Sequence, residues 1–144
     1  MNHKFLSFDY IRKAHKNCNF IQASVGEGRY KINIDAVRCG RDLSVTITGG
    51  TAPHVGAVAI GIGRLPDERP MQYSATVSTF TVPDHKDDAV ARMAAKELAD
   101  ALCANVTVTC GIHIDDAVPD ELVRLQENVK LALEQLLLQM QHTQ

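Results

Sequence analysis

No stretch of this sequence is apolar for long enough to span a bilayer, and Met1-Asn2-His3-Lys4-Phe5-Leu6-Ser7 lacks the hydrophobic run of a signal peptide. The cysteines, Cys18, Cys39, Cys103 and Cys110, include no C-x-x-C pair, so neither a redox motif nor a zinc knuckle is written locally. Free thiols in a reducing cytoplasm are the expectation. Basic residues are not massed either. Arg12, Lys13, Arg38 and Arg41 are spread along the chain beside Asp9, Asp35 and Asp42, and the formal net charge is -2. That argues against nucleic acid or an anionic membrane as partner, because both are held chiefly by clustered Lys and Arg. Gly61-Ile62-Gly63 has no third glycine and no following helix, so it is not a dinucleotide-binding fingerprint, and no nucleophile elbow occurs.

What is present is the material of one ordinary domain. The 144 residues are 45% hydrophobic, enough for one core without metal or disulfide staples. A strand is expected around Phe20 to Val25, after residues 1–16, which are read as irregular. Tyr30, Ile32, Ile34 and Ala36 alternate with polar residues, as do Val45 and Ile47, and as do Met71, Tyr73, Ala75 and Val77. Period two marks half-buried strands. Val55 to Gly63 is smoother and rich in Gly and Ala, which suits an interior strand with something packed closely upon it. The period then becomes helical over 84–103, with Val90, Met93, Ala94, Leu98, Ala101 and Leu102 inward. Val106 to Ile114 alternates again, and Pro119 opens a second helix with the stripe Leu122, Leu125, Val129, Leu133, Leu136, Leu137 and Met140, ending in a frayed tail over 141–144. The expected fold is α+β: a two-layer sandwich of a mainly antiparallel sheet, ββββ(β)-α-β-α in order, with two helices on one face. One domain covers 1–144.

Topology brings the chemistry together. If the strands around 44–50, 55–63 and 71–82 form successive hairpins, the end of the first, the start of the second and the end of the third share one edge. The helix over 84–103 leads away and the strand over 105–114 returns. Three histidine-bearing turns then meet at a rim: Gly49-Gly50-Thr51-Ala52-Pro53-His54, Asp84-His85-Lys86 and His113-Ile114-Asp115-Asp116. Both helix N-termini face that rim with free N–H groups suited to a phosphate or carboxylate. Gly49 and Gly50 are expected to admit a ligand close to the backbone. Each residue also has an ordinary use: Gly49-Gly50 as a turn, His85 as a solvated side chain, His113 on a polar strand face, and Asp115 or Asp116 as a helix cap.

Gly49-Gly50-Thr51-Ala52-Pro53-His54-Val55-Gly56-Ala57-Val58-Ala59, the His85-Lys86 pair, and Gly111-Ile112-His113-Ile114-Asp115-Asp116-Ala117 resemble the prenylated-flavin chaperone (LpdD-like) family, accessory proteins of UbiD-like hydroxyarylate decarboxylases. The resemblance runs from about Arg29 to about Leu137, and its last motif is the most specific. It implies a non-enzymatic role: binding or passing on prenylated FMN, or helping a UbiD-like decarboxylase to mature. Gly49, Gly50, His54, His85, Lys86, His113, Asp115 and Asp116 are then the candidate cofactor-binding residues. Aromatic residues are only 5% of the chain and Trp is absent, which favours a flavin site shared with a partner surface or a homodimer interface. Two other readings stand beside it. One is a metal-dependent enzyme using His54, His85 and His113 with Asp115 or Asp116. The other is an assembly subunit that binds no ligand.

Overall fold

The computed structural model describes residues 20–64 and 74–142. Cys18, the expected irregular start over 1–16, Met71 and Tyr73 of the expected third hairpin strand, and residues 143 and 144 of the tail lie outside them. The described residues form β1 (Phe20–Val25), a single 3-10 turn at Gly28–Tyr30, β2 (Ile32–Cys39), β3 (Asp42–Gly50), β4 (Ala57–Ile62), β5 (Thr76–Thr81), α1 (Asp88–Leu102), β6 (Asn105–His113) and α2 (Pro119–His142). The architecture is the expected α+β sandwich, six strands with both helices on one face.

The sheet order is β1-β2-β3-β6-β4-β5. This corrects the expected run of hairpins, because β6 lies between β3 and β4. It pairs in parallel with β3 (Ile47↔Cys110) and antiparallel with β4 (Ala57↔Cys110). The reason is patterning. Val106, Val108 and Cys110 are wholly buried, and a strand needs neighbours on both edges to bury its backbone as well as its side chains. The edge argument survives the correction. Gly50 pairs with His113, and Ala57 pairs with both Cys110 and Thr81, so the ends of β3, β5 and β6 and the start of β4 share one rim.

Ile32, Ile34, Val45, Ile47, Val106 and Val108 fill the inner sheet face against Leu98, Val129, Leu133, Leu136 and Met140. α1 buries Ala91, Ala94, Ala95, Leu98, Ala99 and Leu102, a face turned in part from the one expected; Val90 and Met93 are only partly buried. Its alanines let the helix approach β4 so closely that a Cβ on Gly61 would collide with the Ala95 carbonyl. The packed-upon strand expected over 55–63 is therefore real, bounded at Ala57–Ile62. α1 also starts four residues later than expected, since Asp84 sits at φ 66, a left-handed conformation that cannot enter a right-handed helix.

α2 begins at Pro119, as its sequence dictates. Its cap is neither Asp115 nor Asp116: Glu121 reaches back to accept the Val118 N–H at 3.1 Å, one half of a capping box. Glu121 also accepts from the Tyr30 hydroxyl at 2.8 Å and pairs with Arg29 at 3.4 Å, which ties the first turn to the Gly28–Tyr30 turn and leaves Leu122 half exposed, outside the stripe in which it was expected. Among the described residues, no helix packs on the opposite sheet face. There Val58, Ile60, Ile62 and Phe80 are exposed, with Val58 directly opposite Phe80. A polar depression on the same face beside Gln22, Ser24, Asn33 and Asp35 is closed on itself by Gln22–Asp35 and Ser24–Asn33 hydrogen bonds of 2.7 and 3.0 Å.

Candidate functional site

The inserted strand builds the site. Chain leaving β3 must step over β6 to enter β4, two strand spacings or roughly 10 Å away. The 51–56 segment makes that step, anchored where Thr51 N–H donates to the His113 carbonyl at 2.7 Å and Gly56 N–H to the Cys110 carbonyl at 2.9 Å. Gly111 is the saddle beneath it: a Cβ there would coincide with the His54 carbonyl group. His54 is thereby held over the end of β6. β5 delivers the second turn, in which Val82 N–H donates to Gly56 O at 2.8 Å and His85 N–H to Val82 O at 3.2 Å.

The three histidines meet. The rings of His54 and His85 are 4.5 Å apart between centroids and tilted by 34°, and those of His54 and His113 are 6.2 Å apart and nearly perpendicular. Lys86 is exposed in the same turn as His85. Gly49 and Gly50 sit at the rim, Gly50 opposite His113 and at φ 78. A Cβ on Gly50 would strike the His113 carbonyl and one on Gly49 the Ile32 side chain and Lys31 carbonyl, so their bareness serves strand packing. Asp115 accepts or shares a proton with His113 Nε2 at 2.9 Å, in an exposed pair. Asp116, exposed at φ 53, shapes the turn without touching the histidines. Arg29 fixes this turn by donating to the Asp115 carbonyl at 2.9 Å.

The residue missed is Asp87. An acid at a helix start reads as a complement to the helix dipole, but here its side chain is 7% exposed and turned into the rim. Oδ1 accepts the Ile112 N–H at 2.9 Å and Oδ2 lies 3.0 Å from His54 Nε2. His54 Nδ1 is 3.0 Å from the Ala52 carbonyl, which can only accept, so Nδ1 carries hydrogen and Nε2 is the nitrogen offered to Asp87. The signal in the sequence was Gly56: any side chain there would displace the Asp87 carboxylate. Among the described residues, the His, Cys, Asp and Glu donors close enough to share an ion are thus His54, His85 and Asp87, their atoms within 4.8 Å of one another. His113, expected to join His54 and His85 in a metal set, has its Nε2 2.9 Å from Asp115 Oδ1 and lies outside this grouping.

The helix termini are already served by acids, Asp88 in α1 and Asp120 and Glu121 in α2. The Tyr30 hydroxyl, the Val118 N–H and Arg29 together hold the Glu121 carboxyl below its ordinary value. Cys39, Cys103 and Cys110 are free thiols, and burial pushes Cys110, beneath the rim, up to about 12.

This geometry lies wholly inside the part of the chain that comparison with known families recognises. Residues 26–141 match the prenylated flavin chaperone LpdD-like domain. The chain belongs to that family. Within curated proteins this LpdD-like chain is 30% identical, over 87 residues, to Protein LpdD of Lactiplantibacillus plantarum (strain ATCC BAA-793 / NCIMB 8826 / WCFS1). The match covers 53% of this chain and 52% of that protein, so it spans about half the length of its relative. Among solved structures, a chain from the crystal structure of a chaperone complex for yeast 20S proteasome assembly superposes with a TM-score of 0.53. It covers 85% of this chain and 95% of that one at 16% identity, which speaks to the fold alone. No helix among the described residues is long and apolar enough to cross a membrane.

Proposed function

We propose that this LpdD-like domain is a non-catalytic accessory protein that takes prenylated FMN at the histidine rim and hands it to a UbiD-like decarboxylase in the reducing cytoplasm. The observation that carries the reading is the meeting of His54, His85 and His113, from three separate loops, inside the stretch matched to a prenylated flavin chaperone family.

The residues fit such a group in part. The tilted His54 and His85 rings offer flat faces to a flavin ring, and exposed Val55 and Val82 in the same two loops offer apolar surface to its prenyl addition. Lys86, exposed beside His85, is the cation this reading assigns to the phosphate. Helix-terminus binding of that phosphate, expected from the sequence, is disfavoured by the acids already there. Gly49, Gly50 and Asp116 enter this proposal only as residues that shape the rim, and Asp115 as the partner that orients His113. A site so shallow in aromatics holds its cargo loosely, which suits transfer rather than storage. A homodimer belongs to the same proposal, supported by the apolar strip Val58, Ile60, Ile62 and Phe80 on the open sheet face.

The test is anaerobic transfer. Protein loaded with prenylated FMN is mixed with flavin-free UbiD-like decarboxylase, and decarboxylation is followed against free cofactor. Wild type should accelerate activation, and a His54→Ala/His113→Ala double variant should do so poorly while still unfolding in one cooperative transition, at a somewhat lower temperature because Asp87 loses its His54 partner. Equal flavin affinity in the two proteins would reject the rim as the binding site.

A further inference from the structure

We propose that His54 Nε2, a ring nitrogen of His85 and Asp87 Oδ2 form a three-ligand site for one divalent first-row transition ion, with its open positions toward the rim. The claim concerns the metal alone and holds whether or not a flavin binds nearby.

Three observations carry it. The first is polarity. Because the Ala52 carbonyl takes a hydrogen on Nδ1, Nε2 is the ring nitrogen left to face a carboxylate oxygen 3.0 Å away. Two acceptors hold that distance only with a positive charge between them, either a second ring proton or a metal ion. The second is geometry. Two ligands bonded at ~2.1 Å and ~90° to one ion stand about 3.0 Å apart, the spacing already present between Nε2 and Oδ2. All three donor atoms lie within 4.8 Å of one another, so a movement of up to about 2 Å by His85, in its half-exposed turn, completes the set.

The third is the surrounding support. Metal-bound imidazoles characteristically donate their other N–H to a carbonyl or carboxylate, and metal-bound carboxylates are themselves hydrogen-bonded. His54 has Ala52 O for that purpose, and Asp87 has the Ile112 N–H. Gly56 leaves room beside both donors: a Cβ there would be 2.9 Å from His54 Nε2 and in collision with Asp87 Oδ2. Two imidazoles and one carboxylate, without thiolate, select zinc, iron(II), cobalt or manganese over calcium and magnesium, which prefer all-oxygen sets. Three protein ligands leave coordination positions for water or an anionic oxygen.

The experiment uses the full chain, untagged and stripped with chelator, titrated with Zn²⁺ by calorimetry and with Co²⁺ by visible absorption. The expected result is one ion per chain, with the weak visible Co²⁺ bands of a five- or six-coordinate nitrogen/oxygen site. His85→Ala and Asp87→Asn should each weaken binding by more than about tenfold, the least that even an outer-shell partner costs. His113→Ala should change it by less than about twofold. Asp87→Asn is the informative variant, since an Asn amide can satisfy both Ile112 and His54 and keep the fold, which thermal melting verifies. Binding well below one ion per chain, wild-type affinity in Asp87→Asn or His85→Ala, loss with His113→Ala, or equal affinity for Mg²⁺ would each overturn the assignment.

Discussion

Replacing Asp87 tests how the rim is held. In Asp87→Ala two hydrogen bonds disappear at once, the one from Ile112 N–H to Oδ1 and the one between Oδ2 and His54 Nε2. Hydrogen bonds to a charged group are each worth about 1.5–3 kcal/mol. The Ile112 amide has no substitute acceptor in a part-buried position, whereas the His54 ring, 22% exposed, recovers some of its loss from water. A total near the lower end follows, about 3 kcal/mol, or roughly 10 °C in Tm for a chain of this size. Asp87→Asn behaves differently. Its carbonyl keeps the Ile112 bond, and its amide donates to the Nε2 lone pair that Ala52 O has already specified, so the cost should stay below about 1 kcal/mol. Urea unfolding followed by circular dichroism, with the slope checked for constancy, gives both numbers. An Ala variant within about 1 kcal/mol of wild type, or an Asn variant as unstable as Ala, would refute the bonding scheme.

Gly111→Ala should lift the 51–56 crossing, because both colliding partners are backbone; a loss of about 3 kcal/mol or more is expected, with the His54 ring resonances in NMR displaced from the wild-type pattern. Cys110 should resist iodoacetamide at pH 8 while exposed Cys39 reacts, as peptide mass analysis will register. The same thiol makes stability depend on pH. Below 9.0 it is protonated in both folded and unfolded chains, and between 9.0 and about 12 only the unfolded chain releases the proton. Stability therefore falls as pH rises across that interval, by up to about 1.4 kcal/mol per pH unit, and Cys110→Ala should flatten that part of the slope. Tyr30→Phe should let the Glu121 carboxyl rise toward its ordinary 4.5, measurable by NMR titration, and should shrink the stability that Glu121 loses as pH falls below that value.

The alternating segments and the two helices were legible because burial on one side of an element leaves a period in sequence. The family resemblance was legible too, in the motifs around His54, His85 and His113, and the matched stretch contains all of them. Strand order was not. Whether β6 joins an edge or enters between β3 and β4 depends on which backbone edges remain free, and an alternating pattern is silent about that. The face of α1 was legible in part: Ala94, Leu98 and Leu102 are buried as expected, while close contact with Gly61 turns Ala91, Ala95 and Ala99 inward ahead of Val90 and Met93. Asp87 escaped notice for a similar reason. Its role is set by groups 33 and 25 positions away, His54 and Ile112, and an acid before a helix has a sufficient local explanation.

The late arrival of β6 has a consequence for synthesis. Until the ribosome has passed His113, the nascent chain can form only two partial sheets, β1-β2-β3 and β4-β5, each with an unpaired edge at the place where the missing strand belongs. The crossing segment then has nothing to cross, and His54 has neither Gly111 beneath it nor the amide of Ile112 to fix Asp87. The histidine rim cannot assemble on a half-made chain. The rim forms in a single step when the last strand slots home, and any condition that delays this slotting exposes two sticky edges together.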